Sequence, residues 1–176
     1  IDDLLDLSQL EQGRLRVVCE PTDLGPLVEL GVAEADLGRH PVEVHIAPDL
    51  PLAHADARRA RQVLANLLSN AAKYSPPEAP ITVSVRSDPG WVVLEVTDEG
   101  DGVPAHLRER IFQPFYRIES GLTRTTRGAG IGLALVHHIV TGHQGTIAVD
   151  SSPGLGTSII IRLPTARKES CPTLPS

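Results

Sequence analysis

The sequence predicts an α+β domain, and three observations carry that prediction. The stretch Gln62 to Tyr74 has helical periodicity with one apolar side. Two segments, Ile81 to Thr97 and Gly145 to Leu163, read as β-hairpins with a period of two. A second, apolar helix follows a glycine-rich stretch at Gly128 to Gly132. The 176 residues are enough for one domain with a real core.

The elements follow in order along the chain. Residues 1–12 place Ile1, Leu4, Leu5, Leu7 and Leu10 among acids, as in the last turns of an amphipathic helix ending at Gly13. A helix this short is marginal alone, so it is expected to belong to a longer helical element. Arg14 to Cys19 alternates weakly as a strand, and Thr22 or Asp23 caps a helix running to about Leu37. Val42 to Ile46 alternates as a strand, and Pro48 and Pro51 mark a loop.

Asp56 is placed to cap the two-sided helix. That helix must stop near Tyr74, because Ser75-Pro76-Pro77 disfavours helical geometry before each proline. Asp88-Pro-Gly90 turns the first hairpin. Pro104 starts a short helix, and Phe112 and Phe115, the two phenylalanines of the chain, are expected to be core anchors at one end of a loop. Residues 119–130 lack periodicity and are expected to be mobile, before a helix from about Ile131 to Thr141 that Gly142 can end. After Pro164, a disordered tail is expected over residues 165–176.

Composition excludes several function classes. A net charge of −6 and few aromatic side chains argue against a general nucleic-acid surface, so any polyanion must be bound locally. No run of residues is long and apolar enough to span a membrane, and no leader peptide opens the chain. A chain without methionine that opens on Ile1 reads as a piece of something longer. Cys19 and Cys171 are far apart, which points to a reducing compartment, not a disulfide framework. The seven histidines show no metal-ligand spacing and read as structural or exposed.

Three patterns carry chemistry. On the two-sided helix, Val63, Leu64, Leu67, Leu68 and Ala71 form the apolar stripe, while Asn66, Asn70 and Lys73 stack along another face. That line is either a solvated helix face or a site where carboxamide oxygens ligate Mg²⁺ and an ammonium meets phosphate. In the strand Trp91 to Thr97, Val92, Leu94 and Val96 share the more apolar face, and the next residue on that face is Asp98. An inward carboxylate needs a donor, so Asp98 either caps neighbouring backbone or meets a ligand N–H. Gly100 and Gly102 allow close approach or a sharp turn. Lastly, Gly128-Ala-Gly130-Ile-Gly132 leads into a helix, whose free N–H groups and dipole favour phosphate.

In this order the chain resembles the ATP-binding catalytic domain of the sensor histidine kinases, in the superfamily with DNA gyrase, mismatch-repair ATPases and heat-shock chaperones that share the Bergerat fold. The resemblance covers residues 14–164. Asn66 to Tyr74 is similar to the N box, Asp98-x-Gly100-x-Gly102 to the first glycine box, Phe112-x-x-Phe115 to the F box, and Gly128-x-Gly130-x-Gly132-Leu133 to the second glycine box. Residues 1–13 resemble the end of the second dimerisation helix of such kinases.

The resemblance implies a two-layer α/β sandwich, a mixed sheet packed on one face by about three helices, with a flexible ATP lid. Its implied cofactors are ATP and Mg²⁺. Asp98 would accept from the adenine amine, Asn70 would ligate Mg²⁺ with Asn66 beside it, Lys73 would touch phosphate, and Tyr74 would pack near the nucleotide. Gly128, Gly130 and Gly132 would admit the phosphates, with Arg124 or Arg127 steadying the terminal one. Gly100, Gly102, Val103, Phe115, Ala129, Ile131 and Leu133 complete the implied nucleotide site, and Asn66, Asn70, Lys73 and Arg127 the implied catalytic set. Its implied partners are the kinase's own dimerisation and phosphoacceptor domain and a response regulator. The parent is expected to be a homodimer and this piece a monomer, a cytoplasmic domain whose parent can be anchored in the bacterial inner membrane.

In the ATPases of the superfamily the position of Asn66 is typically a glutamate that activates water. A carboxamide cannot act as that base, so phosphotransfer is favoured over hydrolysis. No phosphoacceptor motif of the His-Glu-x-x-x-x-Pro kind occurs, so the acceptor histidine is expected on another segment. Ala129 stands where many relatives carry a hydroxyl residue. The competing readings are a serine kinase acting on an anti-sigma antagonist and a non-catalytic nucleotide-binding module of the same superfamily.

Overall fold

The computed structural model describes residues 16–118 and 130–166. Along the chain these form β1 (Glu20–Thr22), α1 (Leu24–Glu34), β2 (Val42–Ile46), β3 (Ala53–Ala55), α2 (Ala57–Tyr74), β4 (Ile81–Asp88) and β5 (Trp91–Asp98). Two single 3₁₀ turns follow, Ala105–Leu107 and Arg110–Phe112, and then α3 (Gly132–Gly142), β6 (Thr146–Ser151) and β7 (Thr157–Pro164). The strands make a five-stranded sheet of order β2-β4-β5-β7-β6 and a small pair, β1 with β3. Only β2 and β4 run parallel within the large sheet, so it is mixed.

The three α-helices cover one face of that sheet, with α2 packed against both α1 and α3. Their contact is the core: Val63, Leu64, Leu67, Leu68 and Ala71 of α2 are all buried, as the apolar stripe predicts, against alternate residues of β4, β5 and β7. The opposite sheet face is polar. Its one fully buried residue on β5, Val93, is flanked across the strands by Arg86 and Arg162, whose charged ends pair with Asp88 and Glu95. The two-layer α+β sandwich is therefore present, with helices on one face alone.

Helix boundaries follow local chemistry. Asp56 caps α2, its side chain accepting from Arg59 N–H at 3.1 Å, and Ser75 before Pro76 is extended, ending the helix after Tyr74. Asp23 caps α1 in the same way through Gly25 N–H. That helix ends at Glu34, earlier than Leu37, because Ala35 turns to an extended conformation; Leu37 is buried from the loop beyond.

Other expectations need correction. Residues 16–19 are not a strand; the strand is Glu20–Thr22, fixed by its partner β3, with the Thr22 hydroxyl donating to Ala55 O at 2.8 Å. The first helix, residues 1–13, lies outside the described residues. At the other end the fold continues slightly past Pro164: Thr165 N–H donates to Gly90 O, and Ala166 N–H to Leu52 O.

One buried junction ties the helical layer together. His143, 2 % exposed, closes α3; its Nδ1 donates to Ile139 O at 2.7 Å and its Nε2 accepts from Asp56 N–H at 2.9 Å. Since a backbone amide can only donate, Nε2 is the unprotonated nitrogen. Asp56 Oδ2 also accepts from Val18 N–H, so the same residue fastens the chain leading into the domain.

Candidate nucleotide site

The C-terminal half of α2 and the end of β5 meet over a cleft of about 280 Å³. That is close to the roughly 300 Å³ at which small-molecule sites begin. Leu67, Asn70, Ala71 and Tyr74 face it from α2, Val96 and Asp98 from β5, and Thr157 and Ile159 from β7. The loop after β5 supplies Gly100, Gly102 and Val103, and Leu133 approaches from the first turn of α3. The helical spacing of Asn70 and Tyr74 and the strand parity of Val96 and Asp98 thus converge on one apolar hollow with few polar groups.

Asp98 is the charged group at its inner end. Its Oδ1 accepts from Gly100 N–H at 2.8 Å, and Thr157 N–H also donates to the carboxylate. Burial nevertheless raises its pKa above the ordinary value of 3.8, and these backbone donors only partly offset that. The two alternatives for an inward acid therefore hold together: it caps backbone, and it lines a cleft where an N–H donor would stabilise its ionised form.

Two cations lie near Tyr74. The Lys73 ammonium lies 5.2 Å from the centre of the Tyr74 ring, and burial, followed by repulsion from Arg117, lowers its pKa. Arg117 itself lines the cleft. Two like charges held near one another beside a hollow favour an anion over a cation there.

The glycines act first on the protein. A Cβ on Gly100 would lie 2.6 Å from Tyr74 O, so glycine is what lets the loop press against the end of α2. Gly102 has φ +73°, and a Cβ there would meet Ser152 O at 2.0 Å. The loop is clasped from the other side by the turn between β6 and β7. Ser151 Oγ accepts from Val103 N–H at 2.7 Å, and Gly154 N–H donates to Asp101 O at 2.7 Å.

Of the sequence-predicted residues, Asn70, Tyr74, Asp98, Gly100, Gly102, Val103 and Leu133 share the cleft. Asn66 does not line it: its Nδ2 donates back to Gln62 O at 3.0 Å, and its Oδ1 faces Gly132, where a Cβ would come within 2.7 Å. Lys73 does not line it either: its ammonium lies beside the Tyr74 ring, and the residue lines a neighbouring surface hollow with Ser69, Ala72 and Ser75. Ile131 is buried at the start of α3, and Gly130 packs on the backbone of Phe115 and Tyr116. Arg124, Arg127, Gly128 and Ala129 lie outside the described residues.

The phenylalanines correct the expectation of two core anchors. Phe115 is 60 % exposed with φ +63°, because its N–H donates to Gly130 O where the chain reverses, and that backbone turns the ring outward. Phe112 is half-buried, tilted against the His137 ring at 5.6 Å. Sequence reasoning missed Tyr116, Arg117, Ser151 and Thr157. Arg117 had a signal, a cation directly after an aromatic pair; Ser151 and Thr157 had none beyond their places flanking a glycine turn.

An α/β sandwich with a nucleotide-sized hollow between a helix and a glycine loop defines the class, and comparison with known proteins bears it out. Residues 55–167 match the family described as histidine kinase-, DNA gyrase B-, and HSP90-like ATPase, and the chain belongs to it. Among solved structures, a mycobacterial sensor histidine kinase, MprB, is 32 % identical with a TM-score of 0.72, covering 84 % of this chain and 98 % of that one. Full-length ShkA in complex with AMPPNP is 26 % identical with a TM-score of 0.79, covering 94 % of this chain and 35 % of that one. The non-motile and phage-resistance protein of Caulobacter vibrioides is 36 % identical over 96 % of this chain. The chain spans 21 % of that relative's length. Among the described residues no helix is long and apolar enough to cross a membrane.

Proposed function

We propose that this cleft binds ATP and that the domain presents the γ-phosphate to a histidine on a dimerisation domain of its parent kinase, for later transfer to a response regulator. The observation that carries the reading is the convergence of Asp98, a half-buried acid whose ionised form a further N–H donor would stabilise, with Asn70 and Tyr74 in one apolar hollow that Arg117 also lines, with Lys73 beside Tyr74. An adenine satisfies the first requirement through its exocyclic amine. A triphosphate satisfies the last.

In this reading the base enters between Val96, Ile159 and Leu133, its amine donating to Asp98. Its phosphates run along α2 towards the start of α3. Asn70, a neutral carboxamide in the cleft wall, fits a site where the phosphates supply the negative charge for Mg²⁺ and the protein adds an oxygen ligand without cancelling the ion's charge. When bound, that ion neutralises charge on the transferring phosphoryl group. The chain's own part is to hold the nucleotide, exclude water and place cations at the phosphates, which is most of what phosphoryl transfer asks of a protein.

Asn66 supports transfer over hydrolysis. It carries no base, and its Nδ2 donates back to Gln62 O within α2. The test is to mix the chain with the upstream helical domain of its parent and labelled ATP with Mg²⁺. Acid-labile label on the helical domain, and none on this chain alone, is the expected result; inorganic phosphate release with no labelled protein would refute it.

A further inference from the structure

Ser151 sits at a node of hydrogen bonds whose direction can be worked out. The residue is 5 % exposed and its hydroxyl has three neighbours: Val103 N–H at 2.7 Å, Gly156 O at 2.7 Å and Thr157 Oγ1 at 3.0 Å. A hydroxyl has one proton and two lone pairs. The amide of Val103 can only donate, which fills one lone pair. The carbonyl of Gly156 can only accept, which takes the proton. The remaining lone pair faces Thr157, so in that contact Thr157 donates and Ser151 accepts.

The consequence lies in the cleft. Thr157 is part of its wall, and with its proton directed at Ser151 its hydroxyl can offer only lone pairs to a group in the cleft that reaches it. Asp98 is paired with Thr157 across β5 and β7, and when ionised it too is an acceptor only. We propose that Ser151 is a positioning residue that sets nucleotide-base selectivity: by taking the Thr157 proton, it leaves the inner end of the cleft lined by acceptors alone, selecting a base that presents an amine and rejecting one that presents a carbonyl there.

The same node holds the wall in place. Through Val103 it fastens the glycine loop, and through Gly156 the turn that carries Pro153 into the cleft wall. Arg108 adds a hydrogen bond to the Ser151 carbonyl from the first 3₁₀ turn. A purely structural Ser151 would, on removal, weaken every nucleotide alike. A Ser151 that sets the proton direction would, on removal, release the Thr157 hydroxyl to donate, and so narrow the gap between amine-bearing and carbonyl-bearing bases.

The proposal rests on nucleotide binding at this cleft, and the probes are ADP and inosine diphosphate, in which a carbonyl replaces the 6-amine and N1 carries a proton. Calorimetry on the full chain gives the ratio of the two dissociation constants. Ser151→Ala is expected to shrink the wild-type preference for ADP by roughly five- to tenfold, the scale of one redirected hydrogen bond. Thr157→Val, which removes the hydroxyl, is expected to shrink it as well, and Thr157→Ser to leave it at the wild-type value. An unchanged ratio in Ser151→Ala overturns the proposal even if both affinities fall. If that variant does not fold, an unchanged ratio in Thr157→Val overturns it and a reduced ratio supports it. Failure of the wild-type chain to bind either diphosphate would instead count against nucleotide binding itself.

Discussion

Asp98→Asn should move binding and stability in opposite directions. The Asp98 Oδ1 accepts from Gly100 N–H at 2.8 Å, and an asparagine oxygen can keep that bond. What the substitution changes is the cleft side, where an NH₂ replaces an acceptor and would face the donor of a bound base. Losing one such buried bond weakens ADP binding by about 1–3 kcal/mol, roughly 5- to 150-fold. The free protein behaves differently. Burial holds the Asp98 pKa above 3.8, so the folded state keeps this proton more tightly than the unfolded chain does. The resulting contribution to stability is fully present below pH 3.8 and is lost as pH rises through the folded-state value. Asparagine carries no such loss. Thermal unfolding without nucleotide should therefore show the variant gaining on wild type as pH rises from about 4, while calorimetry at neutral pH shows the loss of ADP affinity. A variant that binds ADP normally, or that falls further behind wild type in Tm as pH rises, would refute this account of Asp98.

Other substitutions probe separate parts of the site. Gly102→Ala forces a side chain into a left-handed backbone position facing Ser152 O, and should cost more than about 1 kcal/mol in urea unfolding while weakening ADP binding. Lys73→Gln removes the ammonium beside Tyr74, so affinity for ADP should fall roughly tenfold while affinity for adenosine, which has no phosphate, stays unchanged in calorimetry. His143→Phe leaves Asp56 N–H without its acceptor in a buried junction, and should lower stability by about 1–3 kcal/mol in chemical unfolding, far from the nucleotide.

The parts of the molecule legible in the sequence are those governed by local period. The stripe from Val63 to Ala71 and the cap at Asp56 gave α2 almost residue by residue, and the strict alternation of β5 put Asp98 on the core face, paired with Ile81 and Thr157. What escaped depends on contacts far apart in the chain. The pair β1 and β3 is three residues long on each side, and Ala53 and Ala55, though buried, are too small to make a visible pattern. Phe115 looked like core because it is large and apolar, yet a hydrogen bond to Gly130 sets its backbone and leaves its ring outside. Ser151 reads as an ordinary turn residue until its Oγ is seen to meet Val103, 48 positions earlier.

The order β2-β4-β5-β7-β6 puts β7, the last of the described strands, in the interior of the sheet, between two made before it. Until Thr157 to Pro164 have left the ribosome, β5 has no neighbour on that side and the glycine loop no turn to rest on. A nascent chain cut short before this strand would hold every family motif and still lack a wall of the cleft. Competence to capture nucleotide should consequently arise all at once, when this strand emerges and slots home.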